Sequence, residues 1–298
     1  MKRPGDLAAR LGVAALGIPV VFGALWAGGR PLAVLVAFLA VLGCLEFYEM
    51  ARLRGERPFT VLGAAAAAVL VLLAGIDPDF GRFAVRALWI VLGTGGLALA
   101  GSLRWRWPGG SPMGTLGSTV GGLVYVGLPM SFVPLLRALG DGPVGVVATG
   151  PGSEFFLPMG FVLLPLLTTW AGDTSAYFVG HAFGRTKLAP AISPGKTVEG
   201  SLGGVLGAVG AAALIAWLWL ADLPVRAVPV GAAAVVGLAL AVATQLGDLV
   251  ESALKREAGV KDSGRLLPGH GGILDRLDAL LWAFPLAGLL LSVIWERS

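Results

Sequence analysis

The sequence predicts an all-α, polytopic integral membrane protein with about nine transmembrane helices, its N-terminus cytoplasmic and its C-terminus outside. Three observations predict it. Hydrophobic residues make up 56% of the 298 and charged residues only 13%, against about 25% charge in an ordinary soluble domain, so there are too few charges to cover a soluble surface of this size. Nine apolar stretches approach the ~20 helical residues needed to cross a ~30 Å hydrocarbon core. The basic residues are sorted between the segments that join these stretches, as the positive-inside rule requires. A mean hydropathy of +0.83 excludes disorder, and the single Cys44, inside an apolar run, excludes a disulfide scaffold and reads as a small buried hydrophobe. The net charge of +4 lies in short clusters between apolar runs. No basic stripe with interleaved aromatics is present, so nucleic acid is not expected as a partner.

The first stretch, Leu11–Gly29, follows Lys2, Arg3 and Arg10. That resembles a secretory signal, but the apolar run is longer than the roughly 7–15 residues of a signal core, and more spans follow, so it is expected to stay as the first helix. The others are expected at Pro31–Met50, Phe59–Ile76, Phe83–Gly101, Met113–Leu136, Phe155–Phe178, Ser201–Leu220, Ala227–Leu246 and Ile273–Ile294. With the N-terminus inside, Lys2, Arg3, Arg10, Arg52, Arg54, Arg57, Arg104, Arg106, Arg185, Lys187, Lys196, Lys255, Arg256, Lys261, Arg265 and Arg276 fall on the cytoplasmic side. Arg30, Arg82, Arg86, Arg137, Arg226 and Arg297 remain outside, so 16 of 22 basic residues are cytoplasmic. An extra or missing span would scramble that bias. Residues 1–150 read as helices that pack and enclose lipid, and 151–298 as a catalytic region with cytoplasmic loops at 181–200 and 250–272. Gly140–Gly152 reads as an outer loop. Glu46 and Glu49 are expected to pair with Arg52 or Arg54. Gly200 with Gly204, and Gly203 with Gly207, repeat G-x-x-x-G at the start of the seventh span, a spacing that lets helices approach closely in lipid.

Ionisable groups within membrane helices cost about 2.5–3.5 kcal/mol each on insertion scales, so each needs a reason. Three places concentrate them. Asp173, Tyr177 and His181 recur at steps of four after Trp170, on one helix face. That column would line a polar cavity opening inward, unless Asp173 is satisfied by a neighbouring hydroxyl or base. Next comes Ser193–Pro194–Gly195–Lys196–Thr197–Val198–Glu199–Gly200, whose Gly-Lys-Thr suggests a P-loop. The Gly required five residues before Gly195 is Pro190, and no strand is expected to precede it, so the P-loop is rejected. A tight loop presenting Lys196 and hydroxyls at the bilayer edge remains, fit for a phosphate or simply for lipid headgroups.

The third place is the densest. Asp248, Glu251 and Lys255 fall on one helical face at steps of three and four; then come Arg256, Lys261, Asp262, the run Pro268–Gly269–His270–Gly271–Gly272, and Asp275, Arg276 and Asp278 at the start of the last span. Dipole capping accounts for one acid near a helix start, not for this crowd. Mixed acids and bases in one place suit a metal-bridged polyanion, because carboxylates suit Mg²⁺ and basic side chains hold the phosphate oxygens the metal does not reach. Bringing two phosphates together costs about 4 kcal/mol for each pair of unit charges ~4 Å apart at an effective dielectric near 20.

The run from Ser252 to Asp278, S-x-L-K-R-x4-K-D-x-G-x2-L-P-G-H-G-G-I-x-D-R-x-D, resembles the signature of the phosphatidate cytidylyltransferases, also called CDP-diacylglycerol synthases, without departure at its fixed positions. The segments Trp170–Asp173–Tyr177, Ser193–Lys196–Thr197–Glu199–Gly200 and Gln245–Gly247–Asp248–Glu251 are similar to the family's other recurrent stretches. The likeness covers roughly Trp170 to Asp278 in motif detail, and the N-terminal half matches only as a run of apolar helices. It implies transfer of CMP from CTP to phosphatidate in the cell's inner membrane, with the active site facing the cytoplasm, giving CDP-diacylglycerol and pyrophosphate. It implies Mg²⁺ on Asp248 and Asp275, with Asp278 nearby and a monovalent cation such as K⁺ beside the Mg²⁺, and a homodimer. Lys196 matches a phosphate-contacting lysine, and Lys255, Arg256, Lys261 and Arg276 match the signature's basic positions for CTP or phosphatidate phosphates. Asp173, Ser193, Thr197, Glu251 and Asp262 are carried over as substrate-binding positions. His270 either steadies the leaving group or holds the Gly-rich loop. Two other readings share some features. A CTP-dependent polyprenol or phytol kinase would release CDP, and an ion-coupled transporter would show symmetry between halves, whereas the acids here cluster in the second half.

Overall fold

The computed structural model describes residues 4–140, 153–220, 228–266 and 271–297. Most of the expected outer loop and His270 lie outside the described residues. The chain forms helices α1 (Pro4–Ala27), α2 (Gly29–Leu53), α3 (Thr60–Ile76), α4 (Phe80–Trp105), α5 (Pro112–Leu139) and α6 (Ser153–Phe183), strands β1 (Lys187–Ala189) and β2 (Ser193–Thr197), and helices α7 (Val198–Leu220), α8 (Val230–Glu257), α9 (Leu274–Leu277) and α10 (Leu280–Arg297). Among the described residues, α2, α4, α5, α7 and α8 are long and apolar enough to cross a membrane, while Ala15–Ala27, Thr60–Ile76 and Leu280–Ile294 are apolar but shorter.

Contacts divide the chain into two units. The first comprises Met1–Leu135 with Leu254–Leu277, the second Leu136–Ala253 with Asp278–Ser298. In the first, Gly28 and Gly29 turn the chain from α1 into α2 at φ 59° and 45°, conformations that cost a side-chain-bearing residue much more than glycine. Tyr48 on α2 forms the centre of the packing. It is fully buried, its hydroxyl donates to the Thr119 carbonyl at 2.9 Å, and a Cβ on Gly63 of α3 or Gly122 of α5 would overlap its ring. Cys44 is buried one turn before it and donates weakly to the Gly122 carbonyl at 3.5 Å. Asp79 caps α4 by accepting from the Arg82 amide at 2.7 Å, and Ser111 caps α5 by accepting from Gly114 at 3.0 Å, each satisfying an amide that a helix start leaves open. At the other end of α4, the Arg106 guanidinium lies 4.0 Å over the Phe59 ring.

In the second unit the glycine stripe of α7 faces α6. A Cβ on Gly203 would strike Val179, one on Gly204 would press on Ala176, and one on Gly207 would overlap Ser175. Close backbone approach is what small residues provide where lipid gives apolar side chains no reason to associate. Gly247 of α8 packs against the Trp282 ring of α10 in the same way.

Two expectations change. The cytoplasmic loop at 181–200 contains an antiparallel ribbon, with Lys187 opposite Thr197 and Ala189 opposite Ser193, so the fold is not purely helical. The last expected span is broken. α9 ends at Leu277, Asp278 and Ala279 form a turn in which Asp278 Oδ1 accepts from the Ala279 amide at 2.7 Å, and α10 begins at Leu280. Asp275 and Asp278 therefore lie on different elements and do not share the face of one helix.

Candidate active site

The second unit holds a cleft of about 540 Å³ whose wall includes Asp173, Tyr177, His181, Lys196, Thr197, Gln245 and Asp248. α6 supplies the column: four-residue steps bring Asp173, Tyr177 and His181 to one face, and the two rings stack with centroids 6.1 Å apart and planes 6° apart. β2 supplies Lys196. Its position is fixed from both sides, because Thr197 Oγ1 accepts from the Gly200 amide at 3.1 Å and so caps α7, while the Glu199 carboxylate accepts from the Arg185 and Thr186 amides at 3.0 and 3.2 Å, binding the end of α6 to the start of α7. Ser193 opens β2 beside Ala189 and is not part of the cleft wall. α8 supplies the opposite side: Gln245 Nε2 donates to the Ser201 carbonyl at 3.1 Å, and the Ser201 hydroxyl donates back to Gln245 Oε1.

One turn on, Asp248 Oδ2 lies 2.6 Å from the Lys196 ammonium, and the Ser252 hydroxyl is 3.4 Å from its Oδ1. Asp173 lies within the fields of Asp278, Asp248 and Lys196. The cleft wall itself carries two carboxylates, Asp173 and Asp248, and two lysines, Lys187 and Lys196, and Asp248 is paired directly with Lys196. Glu251, three residues beyond Asp248, is fully buried and does not face the cleft.

The signature segment is organised in the first unit. Lys255 Nζ donates to Asp275 Oδ1 at 2.7 Å, with side chains 13% and 7% exposed. Asp275 Oδ2 accepts from the Ser263 amide at 2.9 Å, the Ser263 hydroxyl at 3.0 Å and the Gly272 amide at 2.8 Å. Burial opposes the charge on Asp275, yet the Lys255 ammonium and the Gly272 and Ser263 amides outweigh it and hold this carboxyl below its ordinary value. Arg256 closes the end of α8 by donating to the Val260 carbonyl at 3.2 Å. Lys261, Asp262 and Arg276 are exposed.

The residue that sequence reasoning assigned wrongly is Glu46. It does not pair with Arg52, which takes Glu49 at 3.1 Å, or with Arg54, which takes Glu257 at 3.3 Å. Glu46 is 5% exposed and accepts from the Ile273 amide at 3.0 Å, the Leu274 amide at 2.8 Å and the Ser263 hydroxyl at 3.1 Å. A signal was available, since a carboxylate between Leu45 and Phe47 in an apolar helix needs a buried partner.

Among the described residues, no three Asp, Glu, His or Cys side chains gather as a metal cluster. Mg²⁺ does not need one, because it commonly takes one or two carboxylates and completes its shell with water and substrate phosphates. Asp248, half-exposed on the cleft wall, fits that use. Asp275 fits less well. Its Oδ2 is already contacted by the Ser263 amide and hydroxyl and the Gly272 amide, and its Oδ1, with about two lone-pair positions, is held by Lys255, so a cation would have to share Oδ1 with that ammonium.

Residues 8–294 match the cytidylyltransferase family. A protein of Synechocystis sp. named phosphatidate cytidylyltransferase is 35% identical over 285 residues, 92% of each chain. One of the same name from Brucella abortus is 34% identical over 272 residues, 91% of this chain and 88% of that one. A third, from Bacillus subtilis, is 47% identical over 133 residues, 45% of this chain and 48% of its own. A match over nearly the whole chain, together with relatives at this identity, shows that this protein belongs to the cytidylyltransferase family.

Proposed function

We propose that this protein transfers CMP from CTP to phosphatidate, giving CDP-diacylglycerol and pyrophosphate for phospholipid synthesis. The observation that carries the reading is the near-full-length likeness to relatives named for that reaction, and the cleft that joins Lys196 to acidic groups suits it chemically. The protein sits in the cell's inner membrane with about nine spans, N-terminus and active site toward the cytoplasm, and acts as a homodimer. The cytoplasmic bias of its basic residues supports the orientation.

The reaction is an in-line displacement. An oxygen of the phosphatidate phosphate bonds to the α-phosphorus of CTP, the bond from that phosphorus to the oxygen bridging to the β-phosphate breaks, and its electron pair departs with pyrophosphate. The attacking phosphate is already anionic at neutral pH, since its second pKa is about 6, so neither a strong base nor a covalent enzyme intermediate is needed. Lys196 neutralises phosphate charge from the cleft wall, and Lys255, Arg256, Lys261 and Arg276 supply further cations at the signature. Asp248 would hold Mg²⁺, with a monovalent cation such as K⁺ beside it, and Asp275 is the second acid that the family resemblance assigns to the metal. Mg²⁺, when bound, draws charge toward the departing pyrophosphate. Thr197, as the cap of α7, holds the start of that helix beside Lys196.

Purified protein in detergent with CTP, phosphatidate and Mg²⁺ should release pyrophosphate, and chelating the Mg²⁺ should stop it. Asp248→Asn should abolish nearly all turnover while the protein stays folded. Release of CDP would instead identify a kinase, and a wild-type rate in Asp248→Asn would overturn the role given to that acid.

A further inference from the structure

We propose that Glu46 is a positioning residue for the signature loop: a carboxylate on the second helix that sets the geometry of a segment more than two hundred residues away. The inference rests on the reading that the signature serves the transfer reaction. All three donors that Glu46 accepts, the Ile273 and Leu274 amides and the Ser263 hydroxyl, belong to that segment. The loop is shaped to the carboxylate, since a Cβ on Gly264 or on Gly272 would overlap it. The two amides are among those that the start of α9 leaves without an intrahelical acceptor, so Glu46 fixes where that short helix begins and with it the place of Asp275.

Ser263 carries the connection. Its oxygen lies 3.1 Å from Glu46 Oε2 and 3.0 Å from Asp275 Oδ2. One hydroxyl proton serves one carboxylate at a time, so the hold of Glu46 on Ser263 governs how Asp275 is held. A carboxylate this deep in an apolar helix is expensive. General adhesion between helices would be met more simply by an apolar side chain, whereas a carboxylate is needed to accept several donors from one irregular segment.

The test uses full-length protein in detergent, comparing wild type with Glu46→Gln and Glu46→Asp. Glutamine turns an amino group toward donors and should speed amide exchange across 263–276 by about tenfold or more. The turnover number should fall about 10–100-fold, as for other residues that orient a site from behind. KM for both substrates and the melting temperature should change little, and Glu46→Asp should recover part of the rate. Unchanged exchange in Glu46→Gln would overturn the proposal. So would a turnover number at the wild-type level, or activity lost only in proportion to the unfolded fraction, the mark of a role in stability alone. If Glu46→Gln does not fold, Ser263→Ala removes one of the three bonds and is judged by the same readouts. A wild-type protein without transferase activity would refute the reaction assigned above, while the exchange result would still decide whether Glu46 holds the loop.

Discussion

Exchanging the charges of Lys196 and Asp248 separates a structural ion pair from a working one. The two groups are 2.6 Å apart, with side chains 24% and 37% exposed. At an effective dielectric near 20, unit charges ~4 Å apart attract by about 4 kcal/mol, and at this shorter spacing by somewhat more. Water reaches both groups, however, and the net worth of such a pair is about 0–1 kcal/mol once desolvation and side-chain entropy are counted. Lys196→Met and Asp248→Asn should therefore lower stability by no more than about 1 kcal/mol. Turnover should respond far more, because removing one fixed group that faces charge developing on a reacting phosphate costs about 10²–10³-fold. The double variant Lys196→Asp with Asp248→Lys restores the attraction but reverses its direction, so it should fold and remain inactive. The assay is pyrophosphate release in mixed micelles, with each rate divided by the folded fraction from a melting curve. Recovery of half the wild-type rate in the double variant would refute the reasoning. So would single variants that unfold yet keep full activity per folded molecule.

The other ion pair should behave differently. Lys255 and Asp275 are nearly buried, and removing one partner of a buried pair costs about 3–5 kcal/mol, so Asp275→Asn should loosen 263–276 measurably by amide exchange as well as stopping turnover. Because the folded-state pKa of Asp275 is lowered, its contribution is complete above the ordinary carboxylate value near 3.9 and is lost only as pH falls through the lower folded value; protection of this segment should be flat from about pH 8 to 5. Gly203→Val places a branched side chain against Val179 and should cost about 1–3 kcal/mol of thermal stability, whereas Gly210→Ala, with open space around it, should cost nothing. Thr197→Ala removes the cap of α7 and should cost about 1 kcal/mol, read as a lower melting temperature.

What was legible in the sequence is what depends on near neighbours. Apolar length gave the helices, and four-residue spacing gave the column Asp173–Tyr177–His181 that the cleft shares with Lys196 and Asp248. G-x-x-x-G spacing gave the face that α7 turns toward α6. The ribbon was not legible, because Ser193–Pro194–Gly195–Lys196–Thr197 has neither alternation nor β-branched residues before its last position. It forms where Glu199 ties the Arg185 and Thr186 amides to the start of α7. The break at Asp278 was hidden by apolar residues on both sides. Glu46 was misread for a related reason: its nearest basic neighbours in sequence are Arg52 and Arg54, while its partners are 217 to 228 residues away, a distance at which spacing carries no information.

The signature itself then divides by physical role. Gly264 and Gly272 are glycines because a side chain would occupy the space of the Glu46 carboxylate, and Gly271 is one because its φ of +83° is a left-handed conformation that other residues adopt at a cost. Ser263 and Lys255 are engaged with Asp275. A motif that reads as phosphate chemistry is thus in large part a set of instructions for folding an irregular loop around two carboxylates. Residues committed to that framework have fewer bonds to offer a substrate than exposed charged positions such as Arg256, Lys261, Asp262, Arg265 and Arg276. This division predicts two kinds of mutant within one short motif. Changes at 263, 264, 272 and 275 should disturb amide exchange and turnover together, whereas neutralising 261 or 276 should raise KM without altering exchange.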